Sequence, residues 1–230
     1  MKKIAIMGAM AEEIAPMLDR VEGVVECNLA GNVYYECKYK GLSLVIAYSK
    51  IGKVNAALSA SILLNHFSCE ALIFSGVAGA ISPELKIRDL LLATKLCQHD
   101  VDITAFSHPF GFIPGGQLFY ESDDKLNQIA RHVAKKQGIV LKEGIIATGD
   151  QFVASTERKQ WIGEEFGAIA LEMEGGSVAA VAAALNRPFC VLRAISDAAD
   201  TDASFNFDTF LHESAKESAD FLFLMLDTLV

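Results

Sequence analysis

Short uninterrupted apolar runs alternate along this chain with stretches whose apolar residues recur at helical spacing. The first pattern suits strands covered on both faces; the second suits helices with one buried stripe. Ile4-Ala5-Ile6-Met7-Gly8-Ala9 predicts a buried strand running into a helix that begins near Ala11. Tyr34 to Tyr39 and Leu42 to Tyr48 form a hairpin pattern around Lys40-Gly41. Asn55 to Phe67 reads as a helix, with Leu58, Ile62, Leu63 and Phe67 on roughly one face. Strands are predicted at Ala71 to Gly76 and Leu90 to Leu96, then a long loop from about Gln98 to Gln117. Leu126, Ile129, Ala130 and Val133 mark a helix ended by Gly138. A strand at Glu143 to Thr148, a helix at Glu157 to Phe166 and a strand at Ala168 to Leu171 follow. A small-residue helix spans Ser177 to Leu185, Leu192 to Ile195 is a strand, and Phe207 to Leu229 is a long final helix. This order predicts a single α/β domain over 1–230, with a mixed, mostly parallel central sheet flanked by helices.

Two of the buried runs end in carboxylates. Ala168 to Leu171 feeds Glu172 and Glu174, and Leu192 to Ile195 feeds Ser196 and Asp197. Ligands of open α/β sheets bind at the carboxyl ends of strands, and a buried acid is costly unless paired or used. Glu12 and Glu13 follow the first strand in the same way, although acids in a first helical turn also simply favour the helix dipole. Ser75-Gly76-Val77-Ala78-Gly79-Ala80 reads as a glycine-rich turn after a strand. It is neither GxGxxG nor a P-loop, and fits either a close ligand approach or a plain tight turn. In Thr148-Gly149-Asp150-Gln151-Phe152-Val153, Phe152 suits either base stacking or the core. Arg193 interrupts an apolar strand and needs a partner, either in a structural ion pair or beside a ligand or water near Glu13.

The loop at 98–117 carries Ile103, Phe106, His108, Phe110, Phe112 and Pro114. Its length and aromatic content suggest that it covers a ligand or packs on a partner subunit. His99 and His108 have neither an HExxH pattern nor a third ligand nearby, so no metal is expected.

Of the 230 residues 52% are apolar, which supports a sizeable core. The net charge of −9, without a Lys/Arg cluster, argues against nucleic acid or an anionic membrane as main partner. Five scattered cysteines with no CxxC pair argue against a disulfide scaffold and point to a reducing, cytoplasmic setting. Met1 to Met10 mimics a signal sequence, but Glu12 and Glu13 interrupt it and no cleavage site follows. No apolar run is long enough to predict a membrane span.

Six motifs occur in order: Gly8-Ala9-Met10-x-Glu12-Glu13, Ser49-Lys50-Ile51-Gly52-Lys53-Val54, Gly76-Val77-Ala78-Gly79, Gly149-Asp150-x-Phe152, Glu172-Met173-Glu174-Gly175 and Ser196-Asp197-x-Ala199-Asp200. Together, over nearly the whole chain, they resemble the 5′-methylthioadenosine/S-adenosylhomocysteine nucleosidases of the nucleoside phosphorylase superfamily. The text around Ser49 to Asn55 and His99 to Pro114 is most similar to the branch that also cleaves 6-amino-6-deoxyfutalosine, on the futalosine route to menaquinone.

The resemblance implies hydrolysis of the bond between adenine N9 and ribose C1′, through a transition state like an oxocarbenium ion. It implies Asp197 as the general acid toward adenine N7, Glu174 on the ribose hydroxyls and Glu13 on the attacking water, with Arg193 nearby. Phe152 would stack on the base, the Val153 backbone would read its edge, and Met173 would lie under the ribose. Val77, Ala78 and Gly79 would line the pocket, and Met10, Ile51 and Phe207 its 5′ side. Ile103, Phe106 and Pro114 would come from a second subunit, which makes the 98–117 loop both interface and pocket wall of a homodimer. Many relatives carry a small hydroxyl residue where this chain has Val77; valine narrows that corner and argues against a phosphate co-substrate. The expected partners are thus a nucleoside and water, with no cofactor. Two other readings are a phosphate-dependent phosphorylase of the same fold and a nucleoside-binding module without turnover. The sequence does not set the preferred 5′ substituent, and it leaves Glu172 without a role.

Overall fold

The structure is a computed structural model that describes residues 3–199 and 203–230, apart from the side chain of Phe205. Asp200, which closes the last of the six motifs, lies outside the described residues. Among the described residues ten strands form one sheet: β1 (Lys3–Gly8), β2 (Glu22–Leu29), β3 (Asn32–Tyr39), β4 (Leu42–Tyr48), β5 (Ala71–Ala80), β6 (Leu90–Gln98), β7 (Tyr120–Glu121), β8 (Leu141–Thr148), β9 (Ala168–Glu172) and β10 (Phe189–Asp197). The helices are α1 (Ala11–Leu18), α2 (Lys53–Ser61), α3 (Asp124–Gln137), α4 (Thr156–Phe166), α5 (Gly175–Ala184) and α6 (Ala203–Leu226). A π-helical turn, Ile62–His66, prolongs α2, and a 3-10 turn, Thr104–Phe106, sits in the long loop. Among the described residues no helix is long and apolar enough to cross a membrane.

The sheet mixes two parallel sets. β4, β1, β5 and β10 run parallel as neighbours, and so do β6, β8 and β9. The sets meet antiparallel twice, at β10–β6 and at β5–β9, so that β10, β6, β8, β9 and β5 close a ring. At the second junction Gly79 pairs with Leu171 and Ala80 with Ala170. The carboxyl ends of β5 and β9 therefore overlap, and that of β10 lies alongside, with Asp197 paired to Gly79.

Strand periodicity divides the core by parity. Ile4, Ile6, Cys190, Leu192 and Ala194 face α1, α3 and α6, where Ile14, Met17, Val133, Leu222 and Met225 pack. Ala5, Met7, Val191 and Ile195 face α2 and α5, which meet them with Ala56, Ala60, Val178, Ala179 and Ala182. The small residues of α5 let it approach closely: a Cβ on Gly175 would sit 2.6 Å from Leu96 Cδ2. A third cluster under α4 gathers Ile162, Phe166, Val153 and Ala199.

Several expectations change. β2 has no counterpart in the sequence reading, because it is an edge strand largely exposed on both faces. Leu58 is half exposed rather than part of the buried stripe of its helix. Ser75 to Ala80 is no turn: β5 stays extended and fully buried through Ala80. Its glycines serve close approach instead, since a Cβ on Gly76 would lie 2.4 Å from Glu13 Oε1. Phe110 of the long loop reaches its own protomer's third cluster and packs edge-on against Trp161.

Leu222 lies fully buried where α6 crosses the sheet. Leu222→Ala is expected to cost about 2–5 kcal/mol of stability, as buried Leu→Ala truncations do. Urea unfolding measures it, and a loss below about 1 kcal/mol would contradict this packing.

Candidate active site

A cavity of about 290 Å³ opens where these strand ends converge. Met10, Glu13, Ile51, Val77, Ala78, Gly79, Phe152, Val153, Met173, Glu174, Asp197 and Phe207 all line it. Ala9, Gln151, Leu171, Glu172 and Ser196 line it as well, and the sequence reading had not assigned them there. Arg193 is fully buried behind the wall, and Ile103, Phe106 and Pro114 do not line this chain's cavity. Ile103 is half-buried, whereas Phe106 and Pro114 are exposed on the loop.

Glu13 is positioned by the start of α1. Its Oε2 accepts from Ala9 N at 2.5 Å and Met10 N at 3.1 Å, while Oε1 accepts from Val77 N at 2.9 Å. One side chain thus ties the end of β1 to β5. Burial pushes its pKa up, against the lowering pull of Arg193 and these N–H groups.

Glu172 and Glu174 leave β9 together and meet different surroundings. Glu172 Oε2 accepts from Arg193 Nη2 at 2.7 Å, Gly175 N at 2.7 Å and Glu174 N at 3.2 Å. Its Oε1 accepts from Thr148 Oγ1 at 2.5 Å. Arg193 in turn donates to the carbonyls of Leu192 and Phe74, and its guanidinium lies 4.0 Å from the centre of the Phe74 ring. Arg193 is therefore a member of a structural ion pair, and Glu172 acquires a role: it neutralises that cation and caps the turn into α5.

The Glu174 carboxylate accepts one described hydrogen bond, from Gly52 N to Oε1 at 2.8 Å. Burial, with the Glu172 carboxylate beside it, pushes its pKa up to about 8. The Gly52–Lys53 turn is also held by Asp150 and Asp100. Lys53 N donates to Asp150 Oδ1 at 2.7 Å, Asp150 N to Asp100 Oδ2 at 2.8 Å, and Lys53 Nζ to Asp100 Oδ1 at 2.6 Å.

Asp197 ends β10 almost fully buried. Ser196 Oγ donates to its Oδ2 at 2.9 Å and Ala199 N to its Oδ1 at 2.8 Å. A Cβ on Gly79 would come within 2.7 Å of Oδ1, so the facing strand must be glycine there. Phe152 stands half exposed at the mouth, its ring edge-on to that of Phe207 at 5.7 Å.

His99 packs under the Gly149 backbone, where a Cβ would lie 2.4 Å from its Nε2, and burial pushes its pKa down to about 4. His108 lies against the Phe112 ring. Among the described residues no group of three or more His, Cys, Asp or Glu side chains could hold a metal ion. The arrangement surrounds one apolar slot with carboxylates in different states of neutralisation, which suits acid and base roles on a single ligand.

The model of the phosphorylase superfamily matches residues 3–230. The chain is 54% identical over 229 residues to the aminodeoxyfutalosine nucleosidase of Campylobacter jejuni, covering 100% of each. It is 37% identical over 229 residues to the 5′-methylthioadenosine/S-adenosylhomocysteine nucleosidase of Geobacillus kaustophilus, covering 99% of this chain and 97% of that one. It superposes with a TM-score of 0.97, at 50% identity, on the 5′-methylthioadenosine/S-adenosylhomocysteine nucleosidase of Helicobacter pylori, over 99% of this chain and 98% of that one. That protein was crystallised with an aminopyrrolopyrimidine joined through a methylene to a hydroxypyrrolidine with a thioether arm.

Removing one member of the buried pair strands the other. Arg193→Met is expected to lose about 3–5 kcal/mol of stability, and adding Glu172→Gln should recover part of it. Denaturant unfolding of the double-mutant cycle checks this; additive losses would show that the two side chains act independently. A second expectation concerns Glu174, whose pKa rises from 4.5 in the unfolded chain to about 8. The folded chain then holds a proton that the unfolded chain releases, so this contribution is present below the unfolded value and lost as pH rises to about 8. The stability advantage of wild type over Glu174→Gln should therefore shrink between about pH 5 and pH 8; a pH-independent difference would refute the raised pKa.

Proposed function

The chain belongs to the phosphorylase superfamily, and from that premise we propose a function and a division of labour among its carboxylates. The protein is a nucleosidase that hydrolyses the N-glycosidic bond of adenine nucleosides carrying a 5′ substituent, as its aminodeoxyfutalosine, methylthioadenosine and adenosylhomocysteine relatives are named for doing. The observation that carries the reading is the convergence of Glu13, Glu174 and Asp197 on one apolar cavity with Phe152 at its mouth.

Adenine stacks on Phe152, and its edge meets the main chain at Val153. Asp197 gives its proton to N7 as the C1′–N9 bond breaks, so the base leaves without a full negative charge. The donors on Asp197, Ser196 Oγ and Ala199 N, stabilise the carboxylate that remains. The ribose hydroxyls and the positive charge growing on the sugar face Glu174. They favour the ionised carboxylate that burial alone disfavours, so its attraction strengthens as the transition state forms. Glu13, held by main-chain N–H groups and made more basic by burial, takes a proton from the water that attacks C1′. Val77 lines the cavity beside Glu13, and its apolar side chain offers a phosphate no hydrogen bond, which supports water as the acceptor.

We further propose a homodimer. Ile51, Val54, Leu58 and Phe106 are exposed apolar side chains around the cavity mouth and the long loop. A second copy would cover them and bring Ile103, Phe106 and Pro114 to the neighbouring 5′ side. The five cysteines are all unpaired thiols, in keeping with a cytoplasmic setting.

Incubation with methylthioadenosine should release adenine at equal rates with and without phosphate. No adenine in either buffer would overturn the assignment, and release only with phosphate would make the protein a phosphorylase. Asp197→Asn is expected to lower kcat by about 100-fold or more while substrate affinity changes little, because the proton is needed only in the transition state. Parallel losses in binding and rate would remove Asp197 from the acid role.

A further inference from the structure

The peptide unit that follows the proton donor is gripped at both ends. Ala199 N donates to Asp197 Oδ1 at 2.8 Å. The carbonyl of the same peptide plane, that of Ala198, accepts from Lys159 Nζ at 2.9 Å. In a planar trans peptide the C=O and N–H point in opposite directions. An ammonium fixed on the oxygen therefore aims the hydrogen at Asp197, and it polarises the N–H that it aims.

The turn needs this restraint. Ala199 has φ 49°, a left-handed conformation that an alanine adopts only when its surroundings hold it there. Its methyl group is buried in the cluster that α4 supplies with Ile162 and Phe166, and that Val153 joins. Gly79 gives it room, since a Cβ there would stand 3.2 Å from Ala199 Cβ.

Lys159 is also well placed in the chain. It lies one turn into α4, which starts at Thr156 behind the cap Ser155. The segment from Gly149 to Val153, assigned above to the adenine, runs directly into that helix. A proton passes efficiently only between heavy atoms about 2.6–3.2 Å apart, so acid and base nitrogen need a common reference. α4 offers it: the segment before it holds the acceptor, and its own lysine holds the donor's turn.

We propose that Lys159 is a positioning residue for protonation of the leaving base, acting on Asp197 through the Ala198–Ala199 peptide. In the step it serves, the Asp197 O–H bond breaks as N7–H forms, and the C1′–N9 electron pair leaves with adenine. The carboxylate then carries the charge that the Ala199 N–H stabilises. The proposal rests on Asp197 being the general acid.

The test compares Lys159→Met, Lys159→Arg and Lys159→Gln with Asp197→Asn, measuring kcat, KM and melting temperature on methylthioadenosine. Lys159→Met should lower kcat about ten-fold with KM changed less than about three-fold, a smaller loss than removing a donor that touches the transition state itself. Lys159→Arg, whose guanidinium can reach the same carbonyl, should recover most of the rate. Lys159→Gln, a donor without charge, should fall between the two, and it substitutes for the Met variant if that protein melts below the assay temperature. Unchanged kcat, a loss confined to KM, or an Arg variant no better than Met would overturn the role of Lys159. Full turnover by Asp197→Asn would instead overturn the acid assignment, whereas an inactive Asp197→Asn beside an unaffected Lys159→Met would remove only the positioning role.

Discussion

The buried pair of Arg193 and Glu172 is the constraint on which the site depends. Glu13, Glu172, Glu174 and Asp197 crowd one cavity, and such a concentration of acids would repel itself if all were ionised and unpaired. Glu172 accepts from the guanidinium, from two main-chain N–H groups and from Thr148. Burial raises Glu174 most, and the Glu172 carboxylate beside it adds to that rise. Arg193 meanwhile draws Glu13 the other way. The pair thus adjusts, in opposite directions, two acids that burial already shifts upward.

The topology explains why the acids meet at all. In a purely parallel sheet the carboxyl ends of neighbouring strands lie in a row along one edge. Here the antiparallel junction of β5 with β9 overlaps two carboxyl ends, and the parallel pairing of β10 with β5 adds a third. Glu172, Glu174 and Asp197 therefore come from strands that approach the cavity from opposite directions. Only Glu13 arrives by another route, on the helix that follows β1, and it closes the remaining side through Val77 N.

What could be read from the sequence follows from what each segment buries. β1, β5 and β10 are buried along nearly their whole length and leave short, almost uninterrupted apolar runs. β2 buries almost nothing, so its residues carry no period to detect. The carboxylates were legible because each stands where an apolar run ends. The partner of Arg193 was not, because β9 and β10 do not pair with each other: they are brought together by β5, an earlier strand that pairs with both. The glycines of β5 were visible as glycines but misread as a turn. Their reason is a pair of carboxylates from α1 and β10, which no local pattern announces. In the aromatic loop Phe110 finds its own protomer, which its place in a long loop did not announce, and Phe106 is exposed.

Those glycines carry one further consequence. Gly76 accommodates Glu13 and Gly79 accommodates Asp197, three residues along the same extended strand. At the rise of a β-strand that is about 10 Å. Under the proposed division of roles, β5 is a gauge bar between the water side of the reaction and the base side. The spacing is stored in covalent backbone rather than in any side-chain contact. Exchanges of side chain around the cavity can reshape its lining while the interval between the places of Glu13 and Asp197 along β5 stays unaltered. Insertion or deletion of a single residue between the two glycines would instead change the interval and reverse the face that every later residue of the strand presents. A lineage built on this strand can thus vary widely in diet and hardly at all in metre.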